Sequence, residues 1–266
     1  MIIIPHCQRE QLLAEHTLLQ RIHGRLDGGL GIRPKIRRAL ARDRREPPRV
    51  GAPSQFAVGD WVRVRDHAAI TAMLDAHAKT RGLLFSRQQW GFCGHVARVS
   101  KVVRRIVDDH GRMRAVSRTV LLDGVDCDGI DGHEGCGRLC PLMFRDEWLE
   151  RAEAPAVEPR CAVGPVATIR SLTEIRATLD WRGRRGGLMF MPDQEQLVGR
   201  RFRILRKLDR VIEADREDAI VREPIYLLDT PRCSGASLGA DGPCDRGCGL
   251  LWHADWLVLG AASPEA

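Results

Sequence analysis

The chain has 266 residues, carries 42 Lys and Arg against 35 Asp and Glu for a formal charge of +7, and is 44% hydrophobic. That length suggests one or two domains, and the apolar content argues against wholesale disorder. No run of ~18 apolar residues is present to span a bilayer, and Pro5 stops the opening Met1–Ile4 run before a secretory core can form, so the expectation is a cytoplasmic chain with no membrane partner.

The charge is concentrated at the front. Residues 1–50 hold 11 basic and 5 acidic side chains, net +6, which leaves 31 against 30 for residues 51–266. Within this arm Leu12, Leu13, Leu18, Leu19 and Ile22 recur at helical spacing, predicting one amphipathic helix over Gln8–His23. After it come Arg33, Lys35, Arg37, Arg38, Arg42, Arg44 and Arg45 among breakers such as Gly31, Pro34, Pro47 and Pro48. Guanidinium groups in such a stretch bind phosphates, so these seven residues are the candidates for contact with nucleic acid. Against that stands a chain-wide skew, since only 4 of the 42 basic residues are Lys, and a docking arm for an acidic protein partner is the competing reading.

Beyond the arm the chain repeats itself. A shift of 105 aligns Val58–Ile106 with Val163–Val211 without a gap, with 14 of 49 positions identical, among them Ile70 with Ile175, Asp75 with Asp180, and Gly94 with Gly199. A one-residue shift then pairs Cys127 with Cys233, and two more inserted residues pair Cys136 with Cys244, Cys140 with Cys248 and Trp148 with Trp256. The expected organisation is an arm (1–50), a first repeat (56–150), a linker (151–162) and a second repeat (163–260), a tandem duplication of one domain.

Within the first copy, Asp60–Arg65 alternates as a half-buried strand. Ala69, Ile70, Met73 and Leu74 predict a short helix ended by Gly82, and Leu83–Phe85 a short strand. Longer strands are expected over Val96–Val107 and Ser117–Val125, separated by the turn signal at Asp108–Gly111. The opening Val58-Gly59-Asp60-Trp61-Val62-Arg63-Val64 resembles the first strand of SH3-like small barrels of the KOW and Tudor kind, over about 60 residues per copy, although the second copy has Pro165 where the first has Asp60. The resemblance implies a mainly β (α+β) class: a small SH3-like antiparallel barrel, here with an added Cys-rich loop.

The cysteines carry the clearest chemistry. In a reducing compartment nine Cys are read as metal ligands, not disulfides. Cys127, Cys136 and Cys140 lie among glycines that let a loop wrap an ion, and Cys93 is the expected fourth ligand, which would close a tetrahedral zinc site of the structural kind. His133 is a substitute for Cys93. In the second copy Cys233, Cys244 and Cys248 repeat the triple, but Val198 stands where Cys93 would be, so the fourth ligand is expected from His253, then Cys161, or else water. Zinc at two sites is the expected cofactor, with iron–sulfur also compatible with the spacing. Cys7 is read as a small apolar residue.

Asp75 and Asp180, like Asp123 and Asp229, are read as turn or capping residues. Arg98, Arg105, Arg203 and Arg210 alternate along the long strands, as a phosphate-facing row or as surface ion pairs. No phosphate-binding loop, dinucleotide fingerprint, H-E-x-x-H or G-x-S-x-G is present. The expected function is a non-catalytic, zinc-stabilised binding or adaptor protein that reaches nucleic acid or another anionic partner through its arm. The alternative is a metal-dependent enzyme or accessory subunit of a bacterial biosynthetic pathway, using an open three-cysteine site in the second copy.

Overall fold

A computed structural model describes residues 50–107, 113–129, 137–156, 164–212, 218–236 and 243–260, with the backbone alone considered at 210–212 and 218–222. The structure is mainly β with short helices, and every strand pairing is antiparallel. Among the described residues no helix is long and apolar enough to cross a membrane. The arm's predicted helix and the turn at Asp108–Gly111 lie outside the described residues.

The first unit runs β1 (Trp61–Val64), α1 (His67–Met73), β2 (Lys79–Thr80), β3 (Leu83–Leu84), a 3-10 segment Arg87–Phe92, β4 (Val96–Val107), β5 (Met113–Asp126), β6 (Pro141–Arg145), a 3-10 turn Asp146–Trp148 and β7 (Leu149–Arg151). The second runs β8 (Val166–Ile169), α2 (Leu172–Thr178), β9 (Arg184–Arg185), β10 (Leu188–Met189), α3 (Pro192–Glu195), β11 (Arg201–Ile212), β12 (Asp218–Leu228), β13 (Leu251–His253), a 3-10 turn Ala254–Trp256 and β14 (Leu257–Gly260). The predicted strand Val96–Val107 matches β4 residue for residue, whereas β5 begins four residues before the predicted Ser117.

Each unit has a five-stranded sheet, ordered β6-β5-β4-β1-β7 and β13-β12-β11-β8-β14. Counted within a unit, the first strand lies between the second and the fifth, the third and fourth follow as a meander, and the 3-10 turn joins fourth to fifth. The registers agree pair by pair: Val62 faces Ala97 and Ala167 faces Phe202, while Val120 faces Phe144 and Tyr226 faces Trp252. Even the irregularities coincide, between Val99 and Lys101 and between Ile204 and Arg206, and again between Val103 and Arg105 and between Leu208 and Arg210. Opposite the second of these, Ala115 to Thr119 spans the gap in the first unit and Ile220 to Ile225 in the second, which locates the one-residue insertion. Where a closed barrel was expected, the sheets are open, because the outer strands of each order are not hydrogen-bonded to one another.

Matching residues meet matching demands. Gly94 and Gly199 both sit at positive φ, 81° and 75°, and donate to the carbonyls of Val64 and Ile169, so the chain turns sharply into the long strand where a side chain would strain it. Asp66 and Ser171 cap the short helices through their side chains, and Ile70 and Ile175 are fully buried beneath them. Asp75 and Asp180 accept the amides two and four residues on, the turn role expected of them. Pro165 replaces Asp60 without loss to the sheet, because this position serves through its carbonyl, taken by Val99 N–H in one unit and Ile204 N–H in the other.

Two separate hydrophobic clusters underlie the sheets, one around Phe85, Phe144 and Trp148, the other around Leu188, Trp252 and Trp256. Trp148 donates its indole N–H to the Thr80 hydroxyl and Trp256 to that of Thr178, so these two buried rings keep their polar edges satisfied, whereas the buried indole N–H of Trp252 has no hydrogen-bond partner among the described residues. Gln89 and Gln194 are buried and bridge in the same way. Each side-chain carbonyl accepts the amide three residues back, and each side-chain NH2 donates to the fourth strand, at Met143 and Leu251.

Candidate functional site

The cysteine loops connect the third and fourth strands of each unit, and their ends are zipped by backbone. Cys127 N–H donates to the Cys140 carbonyl at 2.8 Å, and Cys233 N–H to that of Cys248 at 2.9 Å. Two residues on, Gly129 and Gly235 both turn through positive φ, 77° and 76°. In the second loop the Gly235 amide donates to Cys233 Sγ at 3.3 Å, and a Cβ on Gly235 would lie 2.0 Å from the Cys244 carbonyl oxygen, so only glycine lets Cys244 approach. Cys244 Sγ also accepts a backbone N–H, from Val107, at 3.4 Å. Amides aimed at sulfur are contacts of the kind that orient a metal-ligating cysteine.

The described cysteines, Cys93, Cys127, Cys140, Cys233, Cys244 and Cys248, carry no disulfide. Among the described residues no three His, Cys, Asp or Glu side chains gather as a metal site would require. Cys136 of the first triple lies outside those residues, as do Cys7, Cys161 and His133. Cys93 caps the 3-10 segment and packs against the first core. Burial pushes its thiol upward in pKa, with the Asp66 charge adding to the effect, which favours the protonated form.

His253, expected as the second loop's fourth ligand, is engaged elsewhere. Its Nδ1 accepts the Asp255 amide at 3.1 Å and its Nε2 donates to Glu223 Oε2 at 2.7 Å, so both ring nitrogens are engaged. Arg185 completes this group through Asp255 at 2.7 Å, and Glu223 lies 3.9 Å from its guanidinium. The hydrogen bond from Arg185 holds the Asp255 carboxyl below its ordinary value and raises Arg185 in return. Sequence reasoning missed this cluster because its members come from β9, β12, β13 and the turn after it.

Of the candidate arginine row, Arg203 is in an ion pair with Asp229 at 2.9 Å, the surface role rather than the phosphate-facing one. The side chain of Arg210 and all seven arm residues, Arg33, Lys35, Arg37, Arg38, Arg42, Arg44 and Arg45, lie outside the described residues. No protein family, curated protein or solved structure matches the chain.

Proposed function

We propose that the chain is a non-catalytic binding protein in which two tandem copies of an SH3-like domain, each stapled by a zinc-bearing cysteine loop, carry a basic arm to nucleic acid. The carrying observation is the shared loop geometry: the same backbone zip between first and last cysteine in both units, with amides directed at two of the three sulfurs in the second. Zinc would be held by Cys127, Cys136 and Cys140 in one loop; in the other, Cys233, Cys244 and Cys248 are not gathered as they stand and would have to close on the ion, which when bound supplies a fixed tetrahedral cross-link. The strand order and the 3-10 turn before the fifth strand support the SH3-like reading. The charge of the first 50 residues supports an anionic partner.

Metal analysis of the purified full chain is expected to give two zinc ions per molecule, reduced to one by Cys140→Ser or Cys248→Ser. A metal-free chain that is stably folded would overturn the staple. Replacing the seven arm residues with Gln is expected to abolish binding to a mixed-sequence oligonucleotide. In the unaltered chain, affinity should fall steeply between ~50 and ~200 mM salt. Binding indifferent to both changes removes nucleic acid as the partner.

A further inference from the structure

Several of the contacts that join the two units are reciprocal. Lys101 Nζ reaches the Ser234 carbonyl at 3.5 Å, and Arg206 Nη1 reaches the Asp128 carbonyl at 3.3 Å. Under the register correspondence Arg206 is the counterpart of Lys101, and Ser234 of Asp128, so each unit gives the other what it receives. At the centre, counterparts meet each other: the Arg232 guanidinium grips both carboxylate oxygens of Asp126 at 2.6 and 2.8 Å. The same guanidinium lies 3.5 Å from the carbonyls of Leu139 and of Gly247, again a counterpart pair. The apolar contacts follow suit. Leu139 packs on the second unit's core, and a Cβ on Gly247 would stand 2.9 Å from Leu121 Cδ1 of the first.

Beads on a string, docked by translation, would give one-way contacts between unlike surfaces. Reciprocal contacts with a counterpart pair at the middle are the mark of an isologous interface, as in a two-fold dimer. We infer that the two units form an internal pseudo-dimer about an approximate two-fold axis between Asp126 and Arg232, with each cysteine loop seated on the opposite unit. The partner surface of each unit is therefore the other unit.

The second loop adds a grip on the first unit that is built on Asp245. Asp245 Oδ2 accepts the amides of Arg104 and Arg105 at 2.9 and 3.0 Å, and its own amide donates to the Arg105 carbonyl at 2.8 Å. Arg246 donates to the Val107 carbonyl at 3.1 Å. This grip falls on the irregularity of β4 between Val103 and Arg105, where strand pairing leaves amides to be satisfied. The counterpart of Asp245 is Gly137, which has no carboxylate to offer.

The inference does not depend on metal and is tested on the full chain. Asp126→Arg and Arg232→Asp are each expected to lower the folding equilibrium constant by about tenfold, as losing a charged hydrogen-bonded pair does. Each should also speed hydrogen exchange at the amides of Arg104, Arg105 and Val107. The double reversal, which rebuilds the pair with its members exchanged across the axis, is expected to recover most of both losses. Asp245→Ala, which leaves the central pair intact, is expected to speed exchange at Arg104 and Arg105 while the chain stays folded. Single reversals with no effect, a double reversal as damaged as the two singles combined, or unchanged exchange in Asp245→Ala would each overturn the pseudo-dimer.

Discussion

One inward position on the fourth strand separates the two units. In the first it is Arg145, whose guanidinium donates to the carbonyls of Ser117 and Arg81 and to the Thr119 hydroxyl. Burial lowers its basicity, with Glu147 opposing. In the second it is His253, tied to Glu223. Both residues occupy the same register, opposite Thr119 and Ile225. A cation bonded to carbonyls through its terminal nitrogens, with its Nε left without a partner among the described residues, and an imidazole bonded to a carboxylate thus answer one problem, a polar group under a sheet, without moving a strand. The edges differ as well. Glu150 and Arg151 of β7 pair with Arg65 and Asp60, while Val258 and Leu259 of β14 are about half exposed. Charge on an edge strand discourages pairing with other chains, and the second unit lacks that protection. Shared architecture therefore rests on the positions that do not vary: the buried tryptophans, the buried glutamines and the left-handed glycines.

The largest expected effects test that claim directly. Trp148→Ala and Trp256→Ala should each cost about 3–5 kcal/mol, read from denaturant unfolding of the full chain. Both rings are fully buried, so a cost below about 1 kcal/mol at either site would break the equivalence. Next come Gln89→Ala and Gln194→Ala, which leave a buried amide and a fourth-strand carbonyl unpaired; about 1–3 kcal/mol each is expected. Equal losses would place the bridging glutamine among the fold's shared requirements. Unequal ones would show that one loop is held by other contacts.

Gly94→Ala and Gly199→Ala isolate a backbone term, because a Cβ at either position meets nothing within 4 Å. The left-handed conformation alone should then cost about 1–2 kcal/mol at each, measured as a shift in the unfolding midpoint. A neutral substitution at one site would mean that its turn relaxes where the other cannot.

Much of this was readable from the amino-acid order. The shift of 105 aligned the residues with fixed duties, Ile70 with Ile175 under a helix, Asp75 with Asp180 in a turn, Gly94 with Gly199 before a strand, because such duties tolerate few side chains. The turn signal that follows Val107 set the C-terminal bound of β4 where the structure has it. The strand irregularities were not legible, since an unpaired residue leaves no periodic trace. Nor was the engagement of His253, whose carboxylate partner lies 30 positions away and is brought near only by the pairing of β12 with β13. The same holds for Asp126 and Arg232: their equivalence could be seen in the alignment, but their contact depends on how one unit meets the other.

The smallest expected effect concerns acid. Backbone amides of Lys79 and His77 hold Asp75 below its ordinary value in the first unit. In the second, the Ser171 hydroxyl and amide do so for Glu174, and Arg185 for Asp255. A carboxylate whose pKa is depressed by folding contributes stability above its unfolded value, near about 4, and that contribution is lost as pH falls through the lower folded value. All three groups are exposed, so solvent screening keeps each contribution small. Unfolding midpoints measured from pH 5 down to pH 2 should therefore decline gradually. Asp75→Asn, Glu174→Gln and Asp255→Asn should each flatten the decline slightly, with Asp255→Asn flattening it most because its partner is a full positive charge. If Asp255→Asn left the slope unchanged while Asp75→Asn abolished it, the acid sensitivity would belong to the first unit's turn. The Arg185 cluster, for all its short distances, would then contribute nothing that the first unit lacks.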